Sequence, residues 1–221
     1  MAQIFRKSSN GFARALILGT PVAVATIVGL LYAAEWSPWA TREYIPISQP
    51  VPFSHKHHVG QLGIDCRYCH GGVEKSAYAG IPPTETCMSC HSQLYTDQAM
   101  LEPVRKSLVE NKPIVWNRVH DLPDFVYFNH SIHVNKGIGC TACHGNVAEM
   151  QLTWQNQSLY MAWCLQCHRH PENFIADNKD TYNPERVALK DEGKLEAAKQ
   201  LKKDYHILSS GVLTDCYTCH R

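Results

Sequence analysis

The sequence lacks long hydrophobic runs outside one N-terminal segment, and the rest of the chain is rich in Gly, Pro, Asn and His. It also lacks a cluster of basic side chains, since 21 lysines and arginines are balanced by 20 acidic residues. A chain with few aliphatic runs buries too little apolar surface to offset the entropy lost on folding. The first absence therefore indicates a core built from something other than side chains, and the second argues against nucleic acid as a partner.

No cysteine lies outside a C-x-x-C pair. All ten cysteines form five such pairs, and a histidine directly follows each pair. In chain order, motifs 1 to 5 are Cys66, Cys69 and His70; Cys87, Cys90 and His91; Cys140, Cys143 and His144; Cys164, Cys167 and His168; and Cys216, Cys219 and His220.

Three chemistries other than haem attachment use C-x-x-C pairs. Structural zinc joins one pair to a second pair or to two histidines, so five pairs do not divide into closed sites. A redox dithiol or a disulfide framework gives no reason for a histidine after every pair. In c-type haem attachment, by contrast, both thiolates form thioethers and the adjoining histidine binds the iron. The sequence therefore predicts five covalently bound haem c groups, which would also supply the missing core.

Two similar segments carry further histidines: FSHKHH from Phe53 and FNHSIH from Phe128. Within each segment two histidines are three residues apart, so on a helical turn they emerge from one face. Two ligands this close cannot conveniently bind opposite sides of one iron. We predict that His55, His58, His130 and His133 are distal ligands and that each pair serves two adjacent haems. His57 lies off this face and is predicted to be a surface residue.

The fifth iron still needs a distal ligand. His120 is the first choice, because a short proline-containing turn would bring it back near the second repeat. Met161 is the second choice, and thioether ligation would raise the potential of that haem. The alternative for Met161 is packing beside Trp163. His170 and His206 remain further alternatives for this ligand. His170 could instead be a surface residue or propionate partner, and His206 a residue at a helix end.

The N-terminal hydrophobic run predicts a transmembrane helix over residues 15–34, which carry no charge. Arg6, Lys7 and Arg14 precede it, while Glu35 and interfacial tryptophans follow it. This asymmetry predicts cytoplasmic residues 1–14 and a haem domain on the outer, periplasmic face of the cytoplasmic membrane. A cleaved signal peptide is the alternative, but the run is longer than usual and the cleavage pattern is weak.

The remaining chain divides by its motifs. We expect an extended linker over residues 35–52 and a pentahaem domain over residues 53–221. Two repeated dihaem modules, 53–95 and 128–172, would be separated by a polar helix at about 96–111. Residues 183–221 would add the fifth haem, after a solvated helix capped by Asn183 with Pro184 in its first turn. The predicted fold class is a mostly irregular and α-helical multihaem cytochrome c, with loops and short helices wrapped around five haems.

The repeated F-x-H-x-x-H turn followed by C-x-x-C-H resembles the class III multihaem cytochromes. The segments PFSHKHHVGQLGIDCRYCH, VHDLPDFVYFNHSIHV and YMAWCLQCHRHP, with an N-terminal anchor and five motifs, resemble the pentahaem cytochrome c subunit of alternative complex III. That resemblance implies a membrane complex that oxidises a quinol and passes electrons to a periplasmic cytochrome c or copper protein. It also implies two kinds of partner: an iron–sulfur subunit related to molybdopterin oxidoreductases, and quinol-binding integral membrane subunits.

Two other functions are compatible with several haems and one anchor. Membrane-anchored quinol dehydrogenases of nitrate and nitrite reductase systems usually carry four motifs rather than five. Catalytic multihaem reductases need an iron with an open position, often marked by an irregular motif, whereas all five motifs here are regular. We therefore predict an electron-transfer subunit, with no catalytic site of its own, that relays single electrons between six-coordinate haems.

Overall fold

The computed structural model describes residues 6–185 and 192–220. The chain forms two compact units, Met1–Glu43 and Tyr44–Arg221. Within the described residues the regular structure is helical, and β-structure is limited to one isolated bridge between Ile138 and Ile175. This agrees with the predicted mostly helical and irregular fold class.

The first unit contains one long apolar helix, α1, at Lys7–Glu35. An 18-residue window within Ser8–Glu35 has a mean hydropathy of 2.1 and side chains that no other part of the unit buries. Helix α1 begins eight residues before the apolar run. Length and composition make α1 either a membrane anchor or a signal sequence. A short helix, α2, follows at Pro38–Thr41, with proline at its first position.

The segment expected as a linker, residues 35–52, is divided between the units. Its second half is hydrogen-bonded within the second unit. The amide of Tyr44 donates to the Gln155 carbonyl at 2.8 Å, and that of Ile47 to the Thr153 carbonyl at 3.3 Å. The side chain of Gln49 bonds the backbone of Asn117 through both its amide nitrogen and its oxygen. Residues 44–52 are therefore part of the larger unit's structure.

The second unit consists of short helices joined by loops, and each C-x-x-C-H motif begins or lies on its own helix. The helices are α3 (Cys66–Cys69), α4 (Thr84–His91), α5 (Glu102–Glu110), α6 (His130–Asn135), α7 (Cys140–His144), α8 (Met161–Arg169), α9 (Glu192–Asp204), α10 (Ser210–Leu213) and α11 (Cys216–Cys219), with a π-helical segment at Lys56–Gln61 and 3₁₀ turns at Ala99–Leu101, Val147–Glu149, Pro171–Asn173 and Asn178–Asp180.

Both predicted polar helices occur, with different boundaries. The helix expected over 96–111 is α5, preceded by a 3₁₀ turn and ended by Asn111 in the left-handed conformation. At the expected start of the last helix, the Asn183 side chain accepts a hydrogen bond from the Glu185 amide at 3.0 Å. Residues 184–185 form a turn there, and residues 186–191 lie outside the described residues. The described part of this helix is α9.

The apolar core formed by side chains is small. One cluster joins Val51, Leu101 and Val104, packed against partly buried residues that include Cys87 and Trp116. This agrees with the scarcity of aliphatic runs, and the side chains alone supply limited hydrophobic stabilisation.

Candidate haem-binding site

Each F-x-H-x-x-H segment forms one helical turn that holds its two histidines in the same way. In the first, the Phe53 ring stacks on His58 with centroids 4.4 Å apart and meets His55 edge-on at 5.0 Å. In the second, Phe128 stacks on His133 at 4.5 Å and meets His130 edge-on at 4.8 Å. The phenylalanine of the repeat therefore orients both imidazoles.

Each of these four histidines faces the histidine of one motif. The ring centroids are separated by 6.5 Å for His55–His70, 6.2 Å for His58–His91, 6.3 Å for His130–His144 and 6.2 Å for His133–His168. A metal–nitrogen bond of about 2 Å plus roughly 1 Å from nitrogen to ring centre, doubled, gives about 6 Å for two imidazoles on opposite sides of one metal. The four ring pairs therefore fit an iron between their members.

The Nδ1 atoms of the motif histidines face backbone carbonyl oxygens. The distances are 2.6 Å for His70 to Gly80, 3.1 Å for His91 to Leu94, 2.8 Å for His168 to Leu213 and 3.0 Å for His220 to Phe125. A carbonyl only accepts, so the proton is on Nδ1 and the Nε2 lone pair remains available for a metal.

Burial also favours the neutral form of His55 and His133. It lowers the pKa of His55 to about 4, with smaller contributions from His70 and His58. Burial likewise lowers the pKa of His133, although the Asn129 carbonyl, 2.7 Å from Nδ1, favours the protonated ring. A histidine must be neutral to bind a metal, so these rings are ready for coordination at neutral pH.

Motifs 1, 2 and 3 are neighbours through their cysteines. Burial and the nearby Cys87 raise the pKa of the Cys69 thiol, which places motif 2 beside motif 1. A hydrogen bond to Cys66 raises the pKa of Cys140, which makes motif 3 a second neighbour of motif 1. Cys140 and Cys66 also donate hydrogen bonds to the carbonyls of two consecutive residues. The Cys140 amide donates to the Thr181 carbonyl at 3.1 Å, and Cys66 Sγ to the Tyr182 carbonyl at 3.9 Å.

Motifs 4 and 5 continue this series. Burial, followed by the nearby Cys167 and Cys164, raises the pKa of Cys143 to about 12, so motif 4 adjoins motif 3. Burial and the nearby Cys219 raise the pKa of Cys164, so motif 5 adjoins motif 4. Helix α10, which leads into motif 5, carries the Leu213 carbonyl that faces His168. The motifs therefore lie in the spatial order 2, 1, 3, 4, 5.

The fifth motif has no histidine pair of this kind within residues 6–185 and 192–220. The ring of His220 packs against Phe125, with centroids 5.7 Å apart. His120, the first choice from sequence, does not face His220. Its Nε2 atom is 3.2 Å from Nδ1 of His144, and the two rings meet edge-on at 4.3 Å. Met161, the second choice, begins α8 and is 65% exposed.

Of the remaining histidines, His57 is partly buried, whereas His170 and His206 are exposed. The Nδ1 atom of His57 faces the Gln61 side chain at 2.9 Å. His170 is exposed, 3.6 Å from the Glu172 carboxylate. His206 follows α9, is exposed, and has a φ of 51°.

Sequence reasoning missed the groups that orient the histidine rings. The hydroxyl of Thr153 lies 3.0 Å from Nδ1 of His55, and the Ala77 carbonyl lies 2.8 Å from Nδ1 of His130. Neither residue carries a sequence signal, because a threonine or a carbonyl acquires this role only through tertiary contact.

Two comparisons with known proteins place this chain among cytochromes c. Residues 126–221 match the family described as cytochrome c7 and related cytochrome c. The chain is 31% identical to the multiheme cytochrome c subunit of a menaquinone reductase from Nitratidesulfovibrio vulgaris (strain Hildenborough), over 71% of this chain and 85% of that protein.

Proposed function

Because the chain belongs to the multihaem cytochrome c family, we propose that it is the electron-transfer subunit of a membrane-bound, quinone-linked oxidoreductase. It binds five haem c groups through the cysteines of its five motifs. Four irons have two histidine ligands each, in the pairs His55–His70, His58–His91, His130–His144 and His133–His168. The observation that carries this proposal is the set of four ring pairs, with centroids 6.2 to 6.5 Å apart.

The haem groups supply reversible one-electron transfer when bound. The residues of the chain hold two axial nitrogens in place, so neither ligand has to move when the charge of the site changes. Two ligands at each of four sites also leave no open position there for a substrate. The arrangement thus favours electron relay over catalysis.

The spatial order of the motifs defines the relay. Motif 1 lies between motifs 2 and 3, and motif 4 between motifs 3 and 5. Motifs 2 and 5 are the ends of this series. We propose that electrons enter at one end and leave at the other, because every intermediate motif has a neighbour on both sides.

In this proposal α1 is a retained membrane anchor, with the N-terminus cytoplasmic and the haem unit on the periplasmic side. One helix has too little surface to enclose a quinone, so other subunits must bind it. The resemblance to alternative complex III implies that these are an iron–sulfur subunit related to molybdopterin oxidoreductases and quinol-binding integral membrane subunits. The redox partner in solution would be a cytochrome c or a copper protein.

The direction of electron flow has two candidates. The resemblance to alternative complex III favours quinol oxidation, whereas the related subunit from N. vulgaris belongs to a menaquinone reductase. Turnover of the purified complex decides between them. Quinol oxidation predicts that menaquinol reduces the haems, that added oxidised cytochrome c sustains turnover, and that a quinol-site inhibitor stops it. Net menaquinol formation from menaquinone and a reduced electron donor, without quinol oxidation in the forward assay, would favour the reductase.

The ligand assignment is tested in the purified chain by His133→Ala. Covalent haem content should remain unchanged, while one haem becomes high-spin and binds carbon monoxide. The matched control is His206→Ala, which removes an exposed imidazole at the end of α9 and should leave every haem low-spin. A His133→Ala chain with only low-spin haem would refute the assignment.

The absence of a quinone site in this chain is tested by stopped-flow mixing of the purified chain with menaquinol. We expect no reduction at the rate of turnover of the complex. Reduction at that rate would show that this polypeptide oxidises quinol itself, as the anchored quinol dehydrogenases do.

A further inference from the structure

Nine histidines are compared: the eight that form the four facing pairs, and His220 of motif 5. They differ in the atom that lies next to Nδ1. Eight have an oxygen there. These are His55 with Thr153, His58 with Ser54, His70 with Gly80, His91 with Leu94, His130 with Ala77, His133 with Asn129, His168 with Leu213 and His220 with Phe125. The ninth, His144, instead has Nε2 of His120 at 3.2 Å.

We infer that His120 is a positioning residue that accepts a hydrogen bond from Nδ1 of His144, and that it is not an iron ligand through Nε2. The inference rests on the proposed ligation of His130 and His144. Only one proton can lie between the two nitrogens. If Nε2 of His144 binds iron, its proton is on Nδ1, so Nε2 of His120 must be the acceptor. A nitrogen whose lone pair accepts this bond cannot also bind a metal.

His120 would therefore influence the midpoint potential of the iron bound by His144. An acceptor on the far nitrogen fixes the ring's orientation and makes the ligand more basic, which favours the ferric state. Loss of such a partner typically costs 10- to 100-fold in metal affinity. If the ferric form loses about tenfold relative to the ferrous form, the midpoint potential rises by about 59 mV for one electron.

The experiment is a spectroelectrochemical titration of the purified haem-loaded chain carrying His120→Ala, with His120→Gln as the conservative variant. The glutamine oxygen can reach the position of Nε2 and accept the same bond. In His120→Ala we expect five low-spin haems, no carbon monoxide binding, and a rise of about tenfold in one reduction equilibrium. His120→Gln should stay low-spin and restore that equilibrium to within about threefold. The haem concerned is the one that becomes high-spin in His130→Ala.

Two results would overturn the inference. A high-spin, carbon monoxide-binding haem in either His120 variant would make His120 an iron ligand, and five unchanged potentials in His120→Ala would remove its influence on His144. If the His120→Ala chain does not accumulate, His120→Gln alone still shows whether His120 is an iron ligand or a hydrogen-bond acceptor. If His130→Ala produces no high-spin haem, the proposed ligation itself fails, and this inference fails with it.

Discussion

Substitution of Gly137 by alanine tests how closely the second repeat is packed. Gly137 lies three residues before Cys140, with a φ of +77°, and a Cβ there would overlap the Ala176 carbonyl and approach the Tyr205 ring to 3.0 Å. Gly63 occupies the same place before Cys66, with a φ of +67° and nothing within 4 Å of a Cβ. Alanine at Gly63 would therefore suffer only the backbone strain, whereas alanine at Gly137 would suffer strain and overlap.

The left-handed conformation costs alanine about 1–2 kcal/mol, and the reduced freedom of the unfolded chain returns about 0.4–1 kcal/mol. Gly63→Ala should therefore lower the free energy of unfolding by about 1 kcal/mol. Overlap with a backbone carbonyl adds about 1–3 kcal/mol, so Gly137→Ala should lower it by about 2–4 kcal/mol. Denaturant unfolding of the purified holoprotein, followed by haem absorbance, measures both. A Gly137→Ala chain as stable as Gly63→Ala would refute the reasoning.

Three further predictions concern the haems and the membrane. Intact mass and pyridine haemochrome analysis of mature protein should give five haems per chain, and a count of four or fewer would contradict the assignment of all five motifs. Thr153→Val, which removes the hydroxyl beside Nδ1 of His55, should leave all haems low-spin and raise one potential, whereas the control Thr214→Val, which removes an exposed hydroxyl, should change none. A tag at the N-terminus should resist protease in intact cells while a tag added after Arg221 is cut, and the reverse pattern would exclude the proposed topology.

The local elements of the site were predictable from sequence because their spacing is local. A spacing of three positions from His55 to His58, or from His130 to His133, places both rings on one turn wherever that turn lies. The C-x-x-C-H spacing likewise places two thiols and an imidazole together on a short helix.

The tertiary relations were not predictable in the same way. Residues 44–52 read as a linker because they are rich in proline, yet their hydrogen bonds reach Asn117 and Gln155. His120 was expected to serve the fifth iron because of a nearby turn, but its ring packs against His144. Such contacts depend on the path of the chain over many residues, and the spacing within a motif does not encode that path. The distal ligand of the fifth iron therefore remains a prediction, with Met161, His170 and His206 as the candidates if His120 bonds His144.

An experimental density map of the haem-loaded chain, at a resolution that shows macrocycles, tests the central claim most directly. We predict one iron between the two members of each of the four histidine pairs. We also predict that the irons follow the motifs in the spatial order 2, 1, 3, 4, 5. An iron between any other two of these histidines, or a first and third iron that are not neighbours, would contradict it.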